Sequence, residues 1–392
     1  MIDFSLSPKA QDLKERTDAF VAEKIIPFES DPRFLDCQTG VTEDLRLELV
    51  ALARDAGLLT PHLPEKWGGA DLSHTERAAV FEASGYSPLG PIAMHIGAPD
   101  EGNMHLIEAV GSDAQKNAYL PRLASGELRS CFAMTEPAPG AGSDPNMLAT
   151  TAVKDGNHWV INGHKWMISS AQGSGLAIIM ARTADKIEKG KGASMFLVET
   201  DMPGFNEIRR IETMDSGFVG GHSELKFENL RVTADHILGE LDEGYRYAQV
   251  RLVPARLTHC MRWLGAARRC NDIASVYVKN RKAFGRRLAD HEGIGFMIAD
   301  NEIEIVASRL MTLQACWALD QGDDARQESS MAKVFCAEAI FRIVDRSLQA
   351  LGGSGAMREN LVERIFRDTR LFRIYDGPSE VHRWAIAKRR LA

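Results

Sequence analysis

The chain has 392 residues, 44% of them apolar and 26% charged, with a formal net charge of −7. That apolar fraction excludes a disordered chain, and 33 Gly and 15 Pro exclude collagen-like or low-complexity structure. The acidic balance argues against binding nucleic acid or anionic membrane by bulk charge, and six scattered cysteines without a Cys-x-x-Cys pair indicate neither zinc nor a disulfide framework. At roughly 150 residues per domain, two or three domains are expected.

Taken in chain order, the first zone (1–127) reads as helical. Ser7-Pro8 pairs an N-cap with Pro at the first helical position and opens a helix to about Lys24. Further helices are predicted over 42–56, 73–85 and 112–125, with loops at Pro61, Pro64 and Gly68-Gly69. A second zone (128–238) holds short β-rich runs: Ser130–Thr135, His158–Ile161, Leu176–Met180, Ser194–Val198 and Glu224–Phe227. Turns such as Asp155-Gly156-Asn157 and Pro203-Gly204 divide them, so an antiparallel barrel or sandwich is expected. The third zone (239–392) returns to long helices. Phe296, Ala299, Ile303, Val306, Leu310, Leu313 and Trp317 line one helix face, and Val334, Ala337, Phe341, Val344, Leu348 and Leu351 line another. Both stripes are expected in the core of an antiparallel bundle. Met1-Ile2-Asp3-Phe4 does not resemble a signal peptide and no apolar run reaches the roughly 18 residues of a membrane span, so a cytoplasmic protein is expected.

Several chemistries find no motif. Gly352-Gly353-Ser354-Gly355 is followed by Ala356 and makes no nucleophile elbow. Gly-Lys-Ser/Thr is absent, no Gly-x-Gly-x-x-Gly heads a βαβ unit, and no His pair has zinc-site spacing. What remains is a set of segments that are individually weak. Met134-Thr135-Glu136-Pro137-Ala138-Pro139-Gly140-Ala141-Gly142-Ser143-Asp144 runs from a strand into a Gly-rich loop, suited to a pyrophosphate or simply to solvent. Asn162–Ser170 reads as the next hairpin, Arg281-Lys282-Ala283-Phe284-Gly285 as a helix end with a Gly cap, and Gln349–Gly355 as a plain C-cap. Ile374-Tyr375-Asp376-Gly377-Pro378-Ser379-Glu380 places an acid in a turn before the last helix.

Together, in this order, these segments resemble the acyl-CoA dehydrogenase family across essentially the whole chain. The carriers are Thr-Glu-Pro…Gly-Ser-Asp, the Gly163-x-Lys165 hairpin, Arg-Lys-x-Phe-Gly, Gln…Gly-Gly-x-Gly and Tyr-acid-Gly-x-Ser, with Gln115–Gly126 and Glu101-Gly102-Asn103 as further matches. Ala98–Asn103 and Asp376-Gly377-Pro378 look most like the branch of human family members ten and eleven. The resemblance implies an α+β multidomain fold: an N-terminal helical domain, a central antiparallel β-domain and a C-terminal helical bundle. It further implies a homotetramer or homodimer, FAD as cofactor, an acyl-CoA substrate and a role in fatty acid metabolism. An electron-transferring flavoprotein would be the electron acceptor.

By motif match, Asp376 is the base that takes the α-proton, and Gly377 N–H, with a ribityl hydroxyl of the flavin, holds the thioester carbonyl. Flavin contacts carry over to Phe132, Met134, Thr135, Met167, Ser169, Pro378 and Glu380. Arg281, Phe284, Gln349 and Gly353 would hold the FAD of a neighbouring subunit. Ser143 would reach cofactor and acyl-CoA, Arg256 the base and the CoA chain, and Glu101 the acyl end of the pocket. Asp376 stands where many relatives have Glu, which shortens the base by one methylene, and Trp166 or Met167 would shield the flavin. If Glu101 or Asn103 faces the cavity, an oxygenated or bulky acyl group is expected to be preferred. Two other functions remain open. One is a flavoprotein oxidase or monooxygenase on the same fold, like nitroalkane oxidase with its Asp base. The other is a catalytically silent flavin- or CoA-binding partner.

Overall fold

A computed structural model describes residues 3–37, 40–188 and 190–392. Met1 and Ile2, read above for a targeting signal, lie outside the described residues. Helix α1 (Pro8–Phe20) is capped as expected, with the Ser7 hydroxyl accepting from the Ala10 N–H. It stops short of Lys24: a π-helical turn (Val21–Ile25) and a 3-10 turn (Ile26–Ser30) follow, because Pro27 has no N–H to continue the ladder. Next come α2 (Pro32–Leu35), α3 (Glu43–Asp55), α4 (His74–Ser84), α5 (Gly90–Ala93), α6 (Asp100–Val110) and α7 (Asp113–Ala124). Capping boxes of Ser73 with Glu76 and Ser112 with Gln115 open α4 and α7.

The strands are β1 (Ser130–Ala133), β2 (Thr151–Asp155), β3 (His158–Ser169), β4 (Leu176–Arg182), β5 (Ala193–Glu199), β6 (Phe205–Ile211) and β7 (His222–Thr233). They form one sheet in the order β1-β4-β2-β3-β7-β6, with β5 on β4. Most pairs are antiparallel, but β1 runs parallel to β4, which the crossover of residues 134–175 permits. The Gly156-Asn157 turn closes β2 on β3, pairing Asp155 with His158 as the Asp-Gly-Asn signal suggests. Strand β6 escaped the sequence reading because its middle residues, Asn206–Arg210, are polar or exposed on the sheet edge.

The C-terminal region contains α8 (Gly244–Asn280), the small hairpin β8 (Lys282–Ala283) and β9 (Arg286–Arg287), α9 (Glu292–Asp320), α10 (Arg326–Leu351), α11 (Leu361–Phe372) and α12 (Ser379–Leu391). The fold is therefore the α+β arrangement expected from the sequence: N-terminal helices, a central sheet and a C-terminal bundle. No helix among the described residues is long and apolar enough to cross a membrane.

By compactness the chain divides into two units. One comprises the residues up to 36, 72–94 and 253–392, and the other 37–71 and 95–252. In the sheet-bearing unit, β4 and β5 are apolar on both faces. Leu176, Ile178 and Met180 pack with Met104, Leu106 and Leu123, while Ala177, Ile179 and Ala181 face Ile161, Phe196 and Leu225. A strand covered on both sides reads as a continuous apolar run, as these do. In the helical unit, the α10 stripe is core: Ala337, Val344 and Leu351 are buried with Leu264, Ile305, Ile365 and Phe372.

The α9 stripe corrects the sequence expectation. Phe296 and Ile303 are each 66% exposed, and Val306 and Leu310 are about half exposed. The face that α9 buries carries Asn301, Ile305, Ser308, Thr312, Ala315 and Cys316. Two of its polar groups are paired within the bundle: Asn301 Nδ2 donates to Asn271 Oδ1 (2.9 Å) and Thr312 Oγ1 to the Ser308 carbonyl (2.9 Å). Periodicity reports that a face is apolar but not what covers it.

Candidate active site

Beyond the end of β1, Thr135 pairs with Trp166: the Trp166 N–H donates to the Thr135 carbonyl (3.1 Å) and Thr135 Oγ1 to the Trp166 carbonyl (2.8 Å). The next residue, Glu136, is the anchor of the Gly-rich loop. Its carboxylate accepts from the N–H groups of Ala141 (3.0 Å), Ala149 (2.7 Å) and Thr150 (2.9 Å) and from Lys165 Nζ (2.8 Å). Lys165 is fully buried and also donates to the Met134 carbonyl (2.9 Å). Burial alone would raise the Glu136 pKa, but the Lys165 charge and the donated hydrogen bonds bring it down to about 2. Lys165 is the burdened partner: burial pushes it down to about 8 although Glu136 pulls the other way. Two glycines make room for this cradle. A Cβ on Gly140 would lie 2.4 Å from Glu136 Oε2, and one on Gly163 2.3 Å from Thr150 Oγ1.

On β3 the pairing with β7 shifts register between Lys165 and Ile168, and Met167 has φ +56°. This bulge turns Trp166 (38% exposed) and Met167 (37% exposed) outward. Ser169 lies just beyond. Its hydroxyl is 3.0 Å from His222 Nδ1, and His222 Nε2 is 3.0 Å from Asp215 Oδ2, with Thr213 Oγ1 donating to Asp215 Oδ1 (2.6 Å). Phe132 on β1 carries the Arg251 guanidinium 4.2 Å from its ring centroid. Of the cofactor residues read from sequence, the structure thus brings Met134, Thr135, Met167 and Ser169 onto neighbouring backbone, with Phe132 on the same strand as the start of that loop. Two half-exposed large apolar side chains beside two hydroxyls fit the footprint of a flat heteroaromatic ring with polar edge atoms. Ser143 is exposed in the loop that Glu136 anchors.

In the helical unit, Asp376 and Gly377 occupy the turn before α12 with φ +51° and +97°. Such successive left-handed residues are uncommon, and they hold here because basic groups grip the backbone oxygens. The Asp376 carbonyl accepts from Arg256 Nε and from His382 Nε2, each at 3.0 Å, and the Gly377 carbonyl from Lys333 Nζ (2.8 Å). Gly377 has no substitute at this point, since an added Cβ would lie 2.6 Å from His382 Nε2. The Asp376 carboxylate lies 3.4 Å from His259 Nε2. Burial pushes Lys333 down to about 8, against the pull of Asp376, and His382 down to about 4, helped by the Arg256 charge. Arg256 is also lowered by burial. The site therefore holds one carboxylate on a constrained turn, ringed by cations and by a neutral His382.

The remaining candidates sit elsewhere. Pro378 precedes the first residue of α12, and Glu380 is exposed in its first turn near Arg383 (3.7 Å). Arg281 directly follows α8, its N–H donating to the Tyr277 carbonyl (2.8 Å), whereas Phe284 stands on the β8–β9 hairpin and not in a helix cap. Phe284 (φ +53°) and Gly285 (φ +79°) form its two-residue turn, which requires positive φ at both positions. Phe284 is 93% exposed there. Gln349 and Gly353 are exposed at the end of α10, where Gly352 (φ +58°) breaks the helix. Glu101 is buried in the first turn of α6. Asn103 is committed inside the protein: Nδ2 donates to Ser130 Oγ (2.9 Å) and Oδ1 accepts from Arg251 Nε (2.8 Å). It is therefore not the unpaired group that would demand an oxygenated acyl chain.

The sequence reading missed His259, Arg262, Lys333, His382, Arg251 and the His222–Asp215 pair. A usable signal was present for some: Arg256, His259 and Arg262 recur every three residues along α8, and Lys333 interrupts the buried face of α10.

Family models for the acyl-CoA dehydrogenase N-terminal, middle and C-terminal domains match residues 7–127, 131–230 and 242–391. A Mycobacterium tuberculosis protein named "Probable acyl-CoA dehydrogenase FadE2" is 35% identical over 100% of this chain and 97% of its own. Human acyl-CoA dehydrogenase family member 11 is 34% identical over 98% of this chain, which spans 50% of that longer protein. The solved glutaryl-CoA dehydrogenase of Mycobacterium smegmatis in complex with FADH2 superposes with a TM-score of 0.85 at 27% identity, covering 98% of this chain and 95% of that one. The chain belongs to the acyl-CoA dehydrogenase family, in the branch of family members 10 and 11.

Proposed function

We propose that this oxidoreductase is an FAD-dependent dehydrogenase that introduces an α,β double bond into an acyl-CoA thioester. The observation that carries the reading is Asp376, a carboxylate set on a doubly left-handed turn whose backbone oxygens are gripped by Arg256, His382 and Lys333. A thioester α-proton is weakly acidic, so its removal needs a positioned base and donors to the carbonyl oxygen where negative charge develops. Asp376 serves as that base. Gly377 N–H holds the thioester carbonyl, and Lys333 and Arg256 fix the turn that carries the carboxylate. FAD, when bound, supplies the acceptor for the β-hydride. Phe132, Met134, Thr135, Met167, Ser169, Pro378 and Glu380 would hold it, with Ser143 in reach of cofactor and substrate. The family precedent of a bound flavin, as in the FADH2 complex of the mycobacterial glutaryl-CoA enzyme, supports this.

The exposed stripe of Phe296, Ile303, Val306 and Leu310 supports a homotetramer or homodimer. The outward placement of Arg281, Phe284, Gln349 and Gly353 suits a cofactor shared with a second copy. An electron-transferring flavoprotein is the proposed acceptor, and a domain division at 127/128 and 238/239 accompanies the reading.

The test is Asp376→Asn. A neutral amide cannot take the α-proton, so anaerobic flavin bleaching by acyl-CoAs should slow by ~10²–10⁴-fold while FAD remains bound. Wild-type bleaching by the Asn variant would remove Asp376 from the role. Fast reoxidation of the reduced wild-type enzyme by O2 with peroxide release would point to an oxidase instead.

A further inference from the structure

His259 is a buried ring that the proposed chemistry leaves unassigned. It packs against Phe372 and Tyr375, with ring centroids 5.9 and 4.8 Å away, and the Tyr375 hydroxyl is itself held by Trp263 Nε1 (2.5 Å). One ring nitrogen, Nδ1, is 3.3 Å from Arg262 Nη2, and the other, Nε2, is 3.4 Å from Asp376 Oδ2. A guanidinium has donors only, so Nδ1 accepts and the ring proton sits on Nε2, the nitrogen nearer the carboxylate. Both Arg262 and His259 come from α8, three residues apart, so one helix sets the tautomer and the aim together.

We propose that Arg262 and His259 form a positioning relay for Asp376, with His259 Nε2–H holding Oδ2 so that the carboxylate keeps one orientation toward the substrate α-carbon. This rests on the reading of Asp376 as the base. An Asp carboxylate swings about only two side-chain bonds from a turn that is already constrained, so a single donor is enough to fix it. The 3.4 Å separation suits a contact that tightens once the acyl thioester is bound, as catalytic hydrogen bonds do between ligand-free and complexed states. Arg256 Nε and Lys333 Nζ donate to backbone oxygens of the turn, whereas His259 approaches the carboxylate itself. His382 is likewise directed at the Asp376 carbonyl.

The experiment compares His259→Phe, which keeps an aromatic ring against Phe372 and Tyr375 but has no donor, with His259→Gln, which keeps a donor near the Nε2 position. Both are measured as FAD-loaded enzyme beside Asp376→Asn. Losing a hydrogen bond to an ionised group should lower kcat of the Phe variant by ~10–100-fold with little change in KM. Its acidic pH limb should also move upward, because a carboxylate without that donor binds its proton more tightly. The charged and titratable groups facing Asp376 in that profile are Arg256, His259 and Arg262 on α8, Lys333 on α10, Tyr375 beside it and His382 on α12. The Gln variant should recover most of the rate and the wild-type limb. Should the Phe variant not fold, His259→Asn, whose amide falls short of Oδ2, takes its place. A Phe variant with wild-type kcat and pH limb, or a Gln variant as impaired as Phe, overturns the relay. Unimpaired Asp376→Asn would instead remove the base assignment on which the relay stands.

Discussion

Gly377 shows how far a single position can be constrained by its surroundings. Its φ of +97° is costly for any L side chain, and the His382 ring occupies the space where a Cβ would go. Gly377→Ala is expected to destabilise the protein by roughly 1–3 kcal/mol through the backbone alone, with a further loss from displacing His382. Thermal unfolding measures the total. Adding His382→Ala should recover the steric part but leave the φ strain, so the double variant should fall between the single Gly377→Ala variant and wild type. The residues around the turn also show what a linear reading cannot extract. Asp376 and Gly377 were recognisable as a motif, whereas Lys333, His382 and His259 come from three different helices and become neighbours only through packing. Their chemistry as isolated letters is that of solvated charges, and burial alone gives them a role.

At the scale of elements, the loop after β1 and the strand β3 are two motifs in sequence but one structure. The Glu136–Lys165 pair joins them across 29 residues with a 2.8 Å contact, both side chains almost wholly buried. Removing one partner leaves a buried charge, so Lys165→Met is expected to cost about 3–5 kcal/mol. The pH dependence follows from the direction of the Glu136 shift, from 4.5 to about 2. Between those values the unfolded chain binds more protons than the native one, so the stabilisation is complete above about pH 4.5 and is lost as pH falls through about 2. In the Lys165→Met variant Glu136 should protonate at higher pH, and acid unfolding followed by circular dichroism should begin earlier. An unchanged acid midpoint would show that the three backbone N–H donors hold Glu136 without Lys165. The β8–β9 hairpin was read as a capped helix end because Gly285 suits either; the neighbouring Phe284 at positive φ, unfavourable for an aromatic residue, became evident only in the backbone.

For the whole molecule, the informative feature is an apolar helix face with too little to cover it. Ile303 and Leu310 stand outward on α9, and Phe284 is more exposed than any buried-core role allows. If copies associate through this surface and share the cofactor, Ile303→Glu with Leu310→Glu should shift the protein toward smaller species in sedimentation and lower its FAD content together. Arg281→Ala should reduce FAD retention and assembly in parallel, since ligand binding and association are linked. A fully FAD-loaded monomer at nanomolar concentration would contradict the shared site. From the sequence alone, the locally encoded features were legible: the Ser7, Ser73 and Ser112 helix starts, the Gly156-Asn157 turn, the apolar runs of β4 and β5, and the ordered motifs that mark the family. These depend on neighbours within a few residues, where capping, turn geometry and periodicity act. Only the tertiary structure decided that the α10 stripe is buried while the α9 stripe is not, that Asn103 is occupied by Ser130 and Arg251, and that His259 and Lys333 converge on the Asp376 turn. Burial and pairing between residues far apart in the chain depend on where each segment packs, and no local pattern carries that information.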